Sequence, residues 1–138
     1  MLFRSKKKRN YGYEEFKLCQ RISYYLDLEY PHVLFHFDFG TGTKLTIGQA
    51  VKQKTLNPHR GYPDLFILEP KRGFYGLFIE VKQDGEELFK KHYLCEYKSE
   101  HLQEQAEYMR KLRVKGYKAE FGVGYENCKK IIDEYLKL

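Results

Sequence analysis

Tryptophan is absent from this chain, and cysteine occurs three times and proline four times in 138 residues. Cys19, Cys95 and Cys128 are odd in number, far apart and without a C-x-x-C pair. That excludes a disulfide framework and a structural zinc site, and leaves reduced, mostly buried thiols as the expectation. No stretch approaches the roughly 20 apolar residues needed to span a bilayer as a helix. Residues 1–10 have no apolar segment behind their charges, so a secretory signal is not expected and the cytoplasm is the expected location. His32, His36, His92 and His101 show no metal-ligand spacing. Gly40-Thr41-Gly42-Thr43-Lys44 lacks the full spacing of a phosphate-binding P-loop.

Tyrosine and phenylalanine are abundant instead, at 13 and 10 residues, and the net charge is +6. The charge is unevenly placed. Arg4, Lys6, Lys7, Lys8 and Arg9 stand in the first ten residues with no acid among them, leaving 20 basic and 19 acidic groups for the rest. Residues 1–12 therefore read as a flexible basic arm and 13–138 as one domain, large enough for a single core. Such an arm attracts polyanions whatever their sequence, through counterion release.

Periodicity divides the body into alternating elements. Phe16, Cys19, Ile22, Ser23, Leu26 and Tyr30 recur at helical spacing between Tyr13 and Tyr30, where Pro31 ends the helix. Val33 to Phe39 alternates as a strand, and Thr46 to Leu56 fits a short helix. Asp64 to Leu68 and Tyr75 to Lys82 read as two buried strands about a Pro-Gly-containing turn. Gln83 to Tyr97 reads as a charged loop. A helix then runs from Ser99, its N-cap, to Lys115 before Gly116, followed by a strand to Val123 and an amphipathic helix from Tyr125 to Leu138. This interleaving predicts an α/β domain, a central mixed sheet flanked by helices.

The chemistry concentrates in Gly61-Tyr62-Pro63-Asp64 and Ile79-Glu80-Val81-Lys82. Strand alternation puts Glu80 and Lys82 on one face. Asp64 can join them if the two strands are offset or splayed. Two carboxylates with the carbonyl of Val81 between them would form an oxygen site for Mg²⁺, which keeps several waters. Such an ion polarises a phosphoryl oxygen and activates a water, while Lys82 would balance the charge that builds on phosphorus. Neither E-x-K nor Pro-Asp is informative alone. Their conjunction across a hairpin is.

Those segments resemble the PD-(D/E)xK nuclease superfamily, and more narrowly the virus-type replication–repair nuclease (VRR-NUC) domain, over most of residues 13–124. The resemblance implies a restriction-endonuclease-like core (αβββαβ) with a C-terminal helix added. It implies a Mg²⁺- or Mn²⁺-dependent deoxyribonuclease, including forms specific for branched or Holliday-junction DNA, working as a homodimer in a bacterial or phage-infected cell. Two further residues combine helical geometry with this likeness. Gln105 lies in the apolar stripe of Leu102, Ala106, Met109 and Leu112, where the family helix carries a Gln beside the active site, whereas Gln103 lies off the stripe. Glu15 shares a face with Cys19 and Ile22 and matches the family's helix glutamate, an extra metal or water ligand. Gln20 departs from the family pattern, not falling four residues after Glu15.

Lys44, Lys52, Lys54, His59 and Arg60 precede Asp64 and are candidates for contacts with DNA phosphates. Two other readings use the same residues differently. One is a non-catalytic nucleic-acid-binding module; the other is an accessory domain whose tyrosines and phenylalanines mark a protein interface.

Overall fold

The computed structural model describes residues 11–38, 45–91 and 93–138. Residues 1–10 of the expected basic arm and the segment 39–44, with Lys44, lie outside the described residues, and the arm's last two residues, Tyr11 and Gly12, begin the first helix. In chain order the elements are α1 (Tyr11–Glu29), β1 (Phe35–Phe37), α2 (Ile47–Leu56), β2 (Leu65–Ile67), β3 (Leu77–Lys82), β4 (Phe89–Lys90), β5 (Tyr93–Tyr97), α3 (Glu100–Val114), β6 (Lys118–Val123) and α4 (Tyr125–Leu136).

One mixed sheet organises the fold, with strand order β1-β2-β3-β6. β1, β2 and β3 pair antiparallel, and β6 lies parallel to β3, as a helical crossover through α3 requires. The pleat of β3 sorts the core. Leu77, Ile79 and Val81 face Ile22 and Leu26 of α1 and Cys128, Ile131, Ile132, Tyr135 and Leu136 of α4. Phe78 faces the other way, against Met109 and Leu112 of α3 and Ala119 of β6. The result is α1 and α4 on one face of the sheet and α3 on the other.

The α4 stripe is buried residue for residue as its periodicity predicts. On α1, Ile22 and Leu26 are buried, whereas Phe16 lies largely exposed near the helix start. Tyr25 and Tyr30 both donate to the carboxylate of Asp133, joining α1 to α4 with a shared acceptor. Ser99 caps α3 by accepting from the amide of Leu102, and Gly116 turns the chain out of it at φ 97°.

Two features depart from the sequence reading. The segment taken as a charged loop contains a small hairpin, β4 with β5, its Phe89 and Tyr97 rings stacked 4.8 Å apart. The ion pairs Lys90–Glu96 and Lys98–Glu87 lie across it. Charge density hid two aromatics that need each other. Second, α2 forms where expected, with a Thr46–Gln49 capping box, yet none of its residues is buried. Ile47 is 87% exposed, Leu56 79% and Val51 59%.

Candidate metal and phosphodiester site

The carboxylates meet without any offset of the strands, contrary to the condition set from the sequence. An antiparallel hairpin returns the end of its second strand beside the start of its first. With Leu65 opposite Ile79, the next position out sets Asp64 opposite Glu80, on the face that also carries Phe78 and Lys82. Both acids are buried, Glu80 to 3% exposure.

Each is fixed by a different element. Asp64 Oδ2 accepts the Val81 amide at 2.8 Å, so the carboxylate takes the place of a missing backbone rung. The same register sets Pro63 opposite Val81. Proline has no N–H to give, so the Val81 carbonyl lacks the ladder partner that any other residue would supply. Glu80 Oε1 accepts from Gln105 Nε2 of α3 at 2.7 Å, and Lys82 Nζ lies 3.7 Å from the same oxygen. Gln105 is thus in the site, and Gln103 is exposed, as the helical stripe requires.

Among the described residues, two buried side-chain oxygens have no donor, Glu80 Oε2 and Gln105 Oε1. Buried acceptors left in that state are costly. The electrostatics say the same. Burial foremost, then the neighbouring Asp64, pushes the Glu80 carboxyl up to about 10, against the lowering influence of Lys82. Asp64 is also raised, chiefly by burial, despite the Val81 amide and Lys82. While both are ionised neither can donate to the other. A proton taken up by Glu80 joins the two by a hydrogen bond. A divalent cation does the same work with more charge, and the donor set fits one: two carboxylates, a backbone carbonyl and space for water, all hard oxygens.

Glu15 is half-buried and close enough to Asp64 and Lys82 to feel both charges, and burial raises its carboxyl. Among the described residues, no three His, Cys, Asp or Glu side chains converge as a ligand cluster. Glu15 therefore stands beside the acid pair and not as a third carboxylate in contact with it. A shell completed largely by water suits Mg²⁺.

The acids open into a cleft of about 1080 Å³ between α2, the loop before β2 and α3. Lys54, His59, Arg60 and Gln105 line it with Asp64 and Glu80. Lys52 is exposed on α2 but does not line the cleft. Asp38, Tyr62, Glu104 and Tyr108 also line it. None of these four was singled out from sequence, although Tyr62 sits inside the motif that carries Asp64. Burial pushes the thiols of Cys19 and Cys128 up to about 12, which keeps both protonated.

Gly61 holds the loop against α3. Its φ is 93°, and a Cβ there would lie 2.6 Å from the carbonyl oxygen of Glu104, the residue before Gln105. Gly61→Ala should cost about 2 kcal/mol or more in urea unfolding, from strain plus overlap. It should also weaken Mn²⁺ binding in calorimetry, since α3 must retreat and draw Gln105 off Glu80. Unchanged Mn²⁺ affinity would show that the loop contact does not set that hydrogen bond.

A four-stranded mixed sheet flanked by four helices, with the two acids opposed across β2 and β3, defines an α/β fold. The fold is shared with a VRR-NUC domain of known structure. A solved structure described as a "VRR_NUC domain protein" matches with a TM-score of 0.63 and 24% identity, over 91% of this chain and 89% of that one. No protein-family model matches the sequence, and no curated protein matches it.

Proposed function

We propose that this protein is a metal-dependent nuclease that hydrolyses DNA phosphodiester bonds at the Asp64–Glu80–Lys82 site. The observation that carries the proposal is the buried acid pair with Glu80 Oε2 lacking a donor, beside a lysine 3.7 Å from the same carboxylate. The VRR-NUC fold supports it. A binding-only module gains nothing from two buried acids facing DNA phosphates.

Asp64, Glu80 and the Val81 carbonyl would hold Mg²⁺ or Mn²⁺. When bound, the ion supplies polarisation of a phosphoryl oxygen and a more acidic water. The chain's own groups do the rest. The Val81 amide fixes Asp64, and Gln105 fixes Glu80 through Oε1, leaving Oε2 for the ion. Lys82, held among buried groups, places a positive charge where the phosphorus oxygens gain negative charge. Lys54 and Arg60 on the cleft wall seat the DNA backbone without reading bases, and Lys52, Lys44 and the basic arm add sequence-independent attraction. Preference for branched DNA and assembly as a homodimer belong to the same proposal, on the family resemblance.

Supercoiled plasmid and branched oligonucleotides, incubated with Mg²⁺, Mn²⁺ or EDTA, test the reading. Cleavage is expected with either ion and none with chelator. Wild-type protein that binds DNA but cuts nothing in either metal would leave a binding module in place of an enzyme.

A further inference from the structure

The cleft that reaches the acids has walls unsuited to phosphate alone. One wall is α2, whose Ile47, Ala50, Val51 and Leu56 line the cleft and are exposed among the described residues. Tyr62 and Tyr108 line the same cleft. A ten-residue helix is marginal by itself, and its apolar face gains stability where an apolar group packs on it. Tyr62 is built as a rigid surface. Its ring meets Phe78 edge-on at 5.8 Å and Tyr108 at 5.6 Å. Phe78 is in turn stacked on Phe66 at 4.2 Å, with the rings parallel to within 1°. Braced in this way, Tyr62 still leaves 41% of its surface exposed. Lys54 and Arg60 share the cleft, and the acid pair stands at its base.

Cations for a phosphate backbone, with an exposed aromatic ring and an apolar wall in the same cleft, suit a nucleotide. We infer that the slot between α2 and Tyr62 takes an unpaired nucleobase next to the phosphate being cut. The inference rests on the nuclease reading and narrows its substrate to DNA with an unpaired base at the cleavage point, such as a flap, bulge or branch. A base inside a continuous duplex keeps its π-faces on its neighbours and has none to offer. Only an unstacked base can lie on Tyr62, a contact every base makes alike. The slot therefore selects structure and not sequence.

Binding in EDTA separates this inference from the chemistry. Two duplexes are compared, identical but for one unpaired 2-aminopurine, and both affinity and 2-aminopurine fluorescence are read. Wild-type protein is expected to bind the unpaired form about tenfold more tightly and to change its fluorescence. Tyr62→Ala should bring the affinity ratio close to one, whereas Tyr62→Phe should keep it, since the ring and not the hydroxyl is used. Val51→Ser, on the exposed α2 wall where folding is not at stake, should lower the ratio in the same direction. Equal affinity of wild type for the two duplexes, or a Tyr62→Ala loss equal on both, would overturn the inference. If the preference holds and no metal supports cleavage, the slot stands and the nuclease reading falls. If wild type cuts paired and unpaired DNA alike with no fluorescence response, the slot falls and the nuclease stands.

Discussion

Lys82→Ala should lower the single-turnover rate of DNA cleavage by about 100- to 1000-fold, the size of effect seen when one preorganised stabiliser of developing charge is removed. Lys82 lies on the same strand face as Glu80, with its side chain only 11% exposed and its ammonium 3.7 Å from Oε1. A charge held there is screened little by solvent and needs no rearrangement when the phosphorus centre gains electrons. The loss should appear in the rate with DNA saturating. DNA affinity should change much less, because several other cations also meet the backbone. If Lys82→Ala instead weakens binding alone and leaves the saturated rate intact, Lys82 is a phosphate clamp and its role in the chemistry is wrong.

Removing the charge of Glu80 should make the metal-free protein more stable. The Glu80 carboxyl is raised from 4.5 to about 10, by burial first and then by Asp64. The sign follows from proton counting. Between those two values the folded state holds a proton that the unfolded state has released, so stability falls as pH rises through that window. Glu80→Gln removes the dependence. Its amide nitrogen can donate to Asp64 while its amide oxygen still accepts from Gln105 Nε2, so the buried charge is removed and both contacts are kept. In EDTA at pH 8 the variant should melt about 5 °C above wild type, and the gap should close toward pH 5. Divalent cation reverses the order, since it binds and stabilises the carboxylate alone. A wild-type melting temperature in EDTA that is flat between pH 5 and 9 would show that the pair carries no such strain.

Both effects come from a site assembled by short-range rules, which is why much of it was legible in the sequence. Strand alternation placed Glu80 with Lys82, and the helical stripe of Leu102, Met109 and Leu112 chose Gln105 over Gln103. The family likeness and the fold then agreed on the order of elements. What the residues could not yield was register and tertiary approach. Asp64 and Glu80 oppose one another because the hairpin pairs Leu65 with Ile79, a choice made by the turn and by two buried faces together. The β4–β5 hairpin was missed because Glu86, Glu87, Lys90 and Lys91 outweighed Phe89 and Tyr97 in a reading by polarity. Tyr62 and Tyr108 were passed over because no pattern along a chain tells a ring in the core from one lining a cleft. Lys52 shows the converse: closeness to Asp64 in sequence did not bring it to the cleft.

The Asp64 carboxylate accepts the Val81 amide, so one acid of the site is anchored to main chain. Asp64, Glu80, Val81 and Lys82 all fall within a single hairpin. The reactive geometry is thus portable. Helices around the sheet could change in length and composition while this one loop of chain still carried both acids, the carbonyl and the lysine together.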